Sequence, residues 1–308
     1  MRVVLSKAQE MYQQIVKDKY LYLLLAPMVL WYIIFLYKPM YGLQIAFKDF
    51  SIFKGIENSP WVGLENFKTF FKSHYFLRNL KNTLLINIYS LIIGFPIPII
   101  LALMINEVKN SIFKKTVQTL TYLPHFISVV VVAGIVTNFL APTNGLLNLL
   151  IEKLGGEKIY FLMEAKYFRT VFISMNLWKE AGFQSIVYLA ALSGINPQLY
   201  EAAVMDGASK WKQLWHVTIP GIMPTIVIML IIRIGSLLEV GYESIILLYK
   251  PSTYETADVL STYVYRAGLE TAQYDLAAAV GLFNAVVAFI LVIGANRLSK
   301  KFTESGLW

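Results

Sequence analysis

Residues 82–106 read NTLLINIYSLIIGFPIPIILALMIN, and this stretch decides the fold class. It contains no charged side chain, and about 20 mostly apolar residues are enough for a helix to span the hydrocarbon core of a bilayer. Gly94, Pro96 and Pro98 lie inside it, so we expect a kinked helix. The stretch therefore predicts a transmembrane helix.

Five other apolar runs support the same interpretation for the whole chain. Hydrophobic residues make up 57% of the sequence and charged residues 15%, whereas soluble domains carry about 25% charged residues. The first run is long for a signal peptide and no small-residue cleavage site follows it, so we interpret it as a retained anchor. The sequence predicts an all-α membrane protein with six transmembrane helices, at residues 20–37, 82–106, 116–140, 170–195, 222–248 and 276–295.

The charged and ligand-forming residues exclude several classes of protein. The net charge is +8, but the basic residues are scattered between apolar runs, so anionic lipid is a simpler partner than nucleic acid. There is no cysteine, which excludes disulfides and Cys-based metal sites. His74, His125 and His216 show no metal-ligand spacing, so we interpret them as structural or surface residues.

The distribution of Lys and Arg favours one orientation in the membrane. Six spans place both termini on the same side, and the basic residues are denser near span ends on that side, which indicates cytoplasmic termini. Apolar residues at helical spacing near the N-terminus suggest an amphipathic helix on the membrane surface. The predicted divisions are an amphipathic cytoplasmic segment (1–19), a first helix with its outer loop (20–81), a five-helix core (82–296) and a cytoplasmic tail (297–308).

The loop between the fourth and fifth spans has the capping and turn residues of a helix–turn–helix. It begins NPQLYEAAVMDGAS at residue 196. Asn196 is a good N-cap and Pro197 suits the first helical position. Gly207 can adopt the left-handed conformation that ends a helix. Ser209 can cap a second short helix, which we expect Pro220 to stop.

This loop has two possible roles on the residues alone. Ala202 and Ala203 permit close approach of another surface, while Glu201 and Asp206 place charges at its edge. The loop is either a lever that a partner protein moves or an interfacial helix that packs only on its own chain.

Charged residues interrupt the fourth and fifth spans near the membrane midplane, where they usually face a cavity or the interior of the helix bundle. On each of these two spans, polar residues three or four positions apart share one helical face. These two faces are our candidate for a substrate path. An alternative is a structural Glu180–Arg233 pair that locks two helices together. Glu239 and Glu243 are weaker candidates for an outer gate. The candidate path residues are Asn176, Lys179, Glu180 and Phe183 in the fourth span and Arg233 and Ser236 in the fifth.

The loop also resembles the EAA motif of permease subunits in ABC importers. That pattern is Glu-Ala-Ala, three residues, Gly, nine residues and Ile-x-Leu-Pro. It is matched here by Glu201-Ala202-Ala203, Gly207 and Val217-Thr218-Ile219-Pro220, with Val217 and Ile219 as mild departures. Other segments resemble the carbohydrate-uptake, polysaccharide-permease branch, namely residues 40–42, 47–50, 63–67, 206–209 and 263–266.

This resemblance implies a type I ABC importer permease fold whose loop forms a cytoplasmic coupling helix. The implied partners are a second permease subunit, a cytoplasmic ATPase dimer and an extracytoplasmic solute-binding protein, in the cytoplasmic membrane of a bacterium. The implied substrate is a sugar or oligosaccharide, imported by alternating access. The residues expected to couple to the ATPase are Glu201, Ala202, Ala203, Asp206, Gly207 and Ala208.

No cofactor is expected in the chain itself. A Gly-x-x-x-x-Gly-Lys-Ser/Thr phosphate loop is absent from the sequence, so we expect ATP and Mg to bind the partner ATPase. Three alternatives stay open: an ion-coupled secondary transporter, an ABC permease for a non-sugar solute and a membrane-embedded enzyme. No inverted repeat supports the first, and no nucleophile–base or metal motif supports the last.

Overall fold

A computed structural model describes residues 13, 14 and 16–303. Most of the predicted amphipathic segment 1–19, and residues 304–308 of the predicted tail, lie outside the described residues. Within them the only β-structure is an isolated antiparallel bridge between Lys48 and Trp61. The helices are α1 Lys19–Phe47, α2 Gly55–Asn58, α3 Glu65–Lys72, α4 His74–Glu107, α5 Ser111–Phe126, α6 Val129–Phe139, α7 Leu146–Lys153, α8 Ala165–Ser193, α9 Pro197–Met205, α10 Lys210–Gly235, α11 Tyr242–Leu248, α12 Tyr254–Ala257, α13 Leu260–Tyr265 and α14 Tyr274–Thr303.

Four of these helices, α1, α4, α10 and α14, are long and apolar enough to cross a membrane. A fifth crossing is formed if α5 and α6, which are bent by 101° relative to each other, act as one broken span. Helix α8 reaches about 43 Å at 1.5 Å per residue, but polar residues near its middle make it less apolar than the other four. The all-helical membrane fold is thus confirmed, whereas a count of six spans stays a prediction.

The third predicted span is not a single straight helix. The chain leaves helical conformation after Phe126, and Ser128 then starts α6 by accepting a hydrogen bond from the backbone N–H of Val131 at 3.4 Å. Pro124 lies in the last turn of α5. We overlooked the break because apolar residues continue through it, although a proline followed by a serine cap is typical of a helix boundary.

The fifth predicted span, residues 222–248, is wrong at both ends. Helix α10 begins at Lys210 and continues through Pro220, which we expected to stop it. A π-helical turn at Leu214–Thr218 shifts the hydrogen-bond register, and Pro220 lies where that register returns to α-helical, so its missing N–H is tolerated. The helix then ends early, at Gly235. Glu239 therefore lies in the connection before α11, where Gly241 and the preceding residues are non-helical.

The core forms where α4, α8 and α10 pack together. One apolar cluster joins them through Ala102, Tyr188, Leu192 and Ile222. A second cluster, at the opposite end of α4 and α8, adds α6 and α11. Gly182 permits a close crossing of α8 over α5, because a Cβ at this position would overlap the backbone carbonyl of Thr121.

The first helix lies apart from this core. None of its residues from Lys19 to Met40 is buried. Only its last turns pack against α14, where Ala46 is fully buried. Such an apolar helix needs lipid or another subunit around it.

A buried charge cluster connects several segments near the start of α4 and α8, at the same end of the core as the second apolar cluster. Asp258 is 0% exposed and forms ion pairs with Arg78 at 2.8 Å and Arg266 at 2.7 Å. Asn82 donates a hydrogen bond to the backbone carbonyl of Asp258 at 2.9 Å and accepts one from Arg169 at 2.8 Å. The cluster therefore joins the first turns of α4 and α8 to the connection between α10 and α14.

Candidate functional site

Two cavities flank Glu180 in the middle of α8. The central cavity has a volume of about 170 Å³ and lies between α4, α8 and the end of α10. The side cavity, of about 190 Å³, lies between α8 and the start of α11. Asn176 and Glu180 line both. The polar residues of the central cavity are Asn87, Ser90, Asn176, Glu180, Gln184, Arg233 and Glu239.

Helical periodicity explains why these side chains converge. Asn176, Glu180 and Gln184 are four residues apart on α8, so they share one face. Two amides of the cavity are oriented by their own helices. Asn87 donates to the carbonyl of Thr83 at 3.0 Å, and Asn176 donates to that of Phe172 at 2.8 Å. Each keeps an amide oxygen and one N–H for a ligand.

Glu180 is held by two partners from different helices. One carboxylate oxygen lies 2.8 Å from Nδ1 of His125, and the other lies 2.7 Å from Nζ of Lys179. Lys179 also donates to the backbone carbonyl of His125 at 3.1 Å. The ring of Phe183 stacks on the His125 imidazole, with centroids 3.8 Å apart. This cluster fastens the end of α5 to α8, just before the bend into α6.

The sequence did not reveal the position of His125. We interpreted it as structural or surface, but it contacts three of the candidate path residues, Lys179, Glu180 and Phe183. The partners are 54 to 58 residues apart in sequence, so no local pattern could link them. The only hint was its location beside Pro124, at a helix end.

The fifth-span candidates differ from each other in position. Arg233 lines the central cavity, but it forms no ion pair with Glu180, whose partners are His125 and Lys179. The predicted alternative of a Glu180–Arg233 lock is therefore wrong. Ser236 lines neither cavity; its hydroxyl donates to the backbone carbonyl of Arg233 at 3.0 Å, at the end of α10. Of the gate candidates, Glu239 lines the central cavity and Glu243 the side cavity.

The second candidate site, the loop around α9, has the local structure that the sequence predicts. The Asn196 side chain accepts from the N–H of Gln198 at 3.0 Å, and Pro197 opens the helix. Gly207 has a φ of 71°, which is left-handed. The Ser209 hydroxyl accepts from the N–H of Lys212 at 3.4 Å. These predictions are confirmed.

Helix α9 presents an open surface. It has no buried residue. Glu201, Ala202, Asp206 and Gly207 are exposed, whereas Ala203 and Ala208 are half-buried against the chain. Large apolar side chains beside them are also exposed, including Met205 at 87% and Trp211 at 72%. An exposed apolar patch rimmed by charge is typical of a protein interface.

Comparison with known proteins places the chain in a family. Residues 94–303 match the family model described as binding-protein-dependent transport system inner membrane component. The polygalacturonan/rhamnogalacturonan transport system permease protein YteP of Bacillus subtilis (strain 168) is 46% identical over 98% of this chain and 94% of its own length. Protein LplB of the same organism is 44% identical over 95% of this chain and 92% of its own length.

A solved structure agrees over nearly the whole chain. The crystal structure of a bacterial ABC transporter involved in the import of the acidic polysaccharide alginate includes a chain that is 52% identical to this one. The two superpose with a TM-score of 0.89, over 96% of this chain and 99% of that one. With a family model covering more than half of its residues, this chain belongs to the family of binding-protein-dependent transport system inner membrane components.

Proposed function

We propose that the chain is a permease subunit that imports sugars or oligosaccharides into the cytoplasm by alternating access, driven by ATP. The observation that carries the proposal is the 46% identity, over 98% of the chain, to a Bacillus subtilis permease named for polygalacturonan and rhamnogalacturonan transport. The alginate importer supports the same substrate class. An ion-coupled transporter and a permease for a non-sugar solute are less well supported. As a member of this family, the chain is a transport-system component rather than an enzyme.

The proposed partners are a solute-binding protein, a second permease subunit and an ATPase dimer that holds ATP and Mg. The family description supports dependence on a binding protein. In a second structure, the alginate transporter is in complex with an alginate pentasaccharide-bound periplasmic protein. A second permease subunit would cover part of the first helix, whose apolar surface is otherwise covered only by lipid.

We assign α9 as the coupling helix that docks on the ATPase. Its exposed residues Glu201, Ala202, Asp206 and Gly207, with Ala203 and Ala208 beneath them, would form the contact surface. An open groove of about 680 Å³ beside it, lined partly by Tyr200, Val204 and Lys210, offers space for a partner's side chains.

The coupling role can be tested by two glycine variants that disturb the backbone equally. Gly207 and Gly155 both have positive φ, 71° and 81°, and the N–H of each donates to a carbonyl three residues earlier at 3.0 Å. Proline fixes φ near −65° and has no N–H, so both turns must rearrange. We expect the Gly207→Pro variant to insert into the membrane normally. The amount of ATPase that co-purifies with it should fall at least tenfold, whereas the Gly155→Pro variant should retain the wild-type amount. Equal ATPase recovery in both variants would refute the assignment.

We also propose that α9 and both termini are cytoplasmic, that α2 and α3 face outward, and that α8 and the broken α5–α6 pair complete six spans. Contacts along the chain support this arrangement. Lys210 and Glu107 form an ion pair at 3.4 Å, so the end of α4 lies at the same membrane face as α9. Phe70 of α3 packs with Leu260 and Val280 near the opposite face.

Labelling of single cysteines tests this topology, since the chain has no native cysteine. Lys109, between α4 and α5, and Phe53, between α1 and α3, are both exposed. We expect an impermeant maleimide to label Phe53→Cys in intact cells and Lys109→Cys only after permeabilisation. The reverse pattern would invert the proposed orientation.

A further inference from the structure

The central cavity contains a cation without an anionic partner. Arg233 lines it, yet Arg233 forms no ion pair with any carboxylate in the described ranges, 13–14 and 16–303. One acid in the lining of the cavity, Glu180, is paired with Lys179 and His125. The other acid in the lining, Glu239, has no ion pair either and is exposed on the connection after α10.

An unpaired guanidinium in a membrane-embedded cavity calls for an explanation. Charged side chains at this depth are unfavourable and usually mark a pathway. Part of the charge is accommodated by the helix itself, because Arg233 lies in the last turn of α10, where the backbone carbonyls favour a cation. The helix end does not provide the planar, two-oxygen partner that a guanidinium binds best.

The rest of the lining indicates the chemistry of the ligand. Asn87, Ser90, Asn176 and Gln184 provide neutral donors and acceptors, which suit hydroxyl groups. Phe95 and Phe172 add aromatic surface. The unpaired carboxylate of Glu239 would repel an anion, and the charge of Glu180 is already compensated by Lys179, so a negatively charged ligand group is directed to Arg233. A ring with several hydroxyls and one carboxylate fits this set.

We propose that Arg233 binds the carboxylate of an acidic sugar unit, a uronate, as the substrate passes the central cavity. The inference rests on the proposed sugar-import function and narrows it to acidic oligosaccharides. It agrees with the acidic polysaccharide named for the 52% identical solved chain. Arg233 then acts as a specificity-determining residue in the path.

The test uses the complete transporter in proteoliposomes with its binding protein. The probes are trigalacturonate and its fully methyl-esterified, uncharged form. We expect Arg233→Gln to lower the ratio of acid to ester accumulation rates at least tenfold. Arg233→Lys should restore part of that ratio, because it keeps the charge but not the bidentate geometry. The matched control is Arg297→Gln, which removes an exposed arginine of α14 and leaves the ratio unchanged.

The remaining outcomes distinguish the carboxylate-binding role of Arg233 from the import of sugars as such. If Arg233→Gln slows both probes equally, or leaves the ratio at the wild-type value, the carboxylate role is wrong while sugar import stands. If the wild type takes up only the acid, no ratio can be formed. The acid accumulation rate and the melting temperature of the Arg233→Gln complex are then compared with those of the wild type. A tenfold slower rate at unchanged melting temperature supports the proposal, and an unchanged rate overturns it. If the wild type accumulates neither probe, import of this class of sugar is itself refuted.

Discussion

Replacement of Gly182 by leucine is expected to prevent the permease from folding in the membrane, and replacement by alanine to destabilise it. A Cβ at this position would overlap the backbone carbonyl of Thr121 and lie 2.9 Å from the Thr121 Cβ. Backbone cannot move aside as a flexible side chain can, so α5 and α8 must separate. Overpacking a core costs about 1–3 kcal/mol, and a clash with backbone belongs at the upper end of that range.

The matched control is Gly134→Ala, for which we do not expect a loss of stability. Gly134 is exposed in the middle of α6, and nothing lies within 4 Å of a Cβ built there. Alanine is favoured over glycine in a helix by about 1 kcal/mol, so Gly134→Ala is expected to be neutral or stabilising. Thermal unfolding of detergent-solubilised protein, followed by size-exclusion fluorescence, measures both. A Gly182→Ala protein as stable as the wild type would show that α5 and α8 cross less closely than described.

Loss of the Asp258 carboxylate is expected to have the other large effect on stability. Asp258→Asn leaves Arg78 and Arg266 without their shared anion, while the hydroxyl of Thr262 loses a charged acceptor at 2.8 Å. Removing one partner of a buried ion pair costs about 3–5 kcal/mol. Both arginine side chains are partly exposed, at 29% and 21%, so water offsets part of this and we expect about 3 kcal/mol.

The pKa of Arg266 supports a strong interaction at this site. Burial lowers that pKa, but the hydrogen bond and charge of Asp258, together with a smaller effect of Tyr249, raise it above its ordinary value. The control is Glu152→Gln, which breaks an exposed pair with Lys158 and should change stability by about 0–1 kcal/mol. If the melting temperatures of the Asp258 and Glu152 variants fall by the same small amount, the cluster does not hold the segments together.

The sequence predicted those features that depend on neighbouring residues. Asn196, Pro197 and Gly207 define the ends of α9 because cap and turn chemistry acts over one to three residues. The membrane class followed from the long apolar runs. The same runs misled us about the third and fifth spans, because hydropathy does not register a change in helix direction or an early helix end.

The features that the sequence could not provide depend on contacts between distant residues. Asp258 meets Arg78 from 180 residues away, and His125 meets Glu180 across 55 residues. A charged residue in an apolar run indicates that a partner exists, but its identity depends on how the helices pack. For Glu180, the alternative that we considered beside a substrate path was a pair with Arg233 of the neighbouring span, whereas its partner from another helix is His125 at the end of α5.

The isolation of α1 has a consequence for the order of events during synthesis. None of the residues from Lys19 to Met40 is buried against later residues, so this part of the helix can leave the ribosome and partition into lipid without the packed core. The direction in which it inserts is then set by its flanking basic residues. Every later crossing must alternate from that starting direction. The first helix thus provides the starting direction for the later crossings, although it contributes almost nothing to the packed interior.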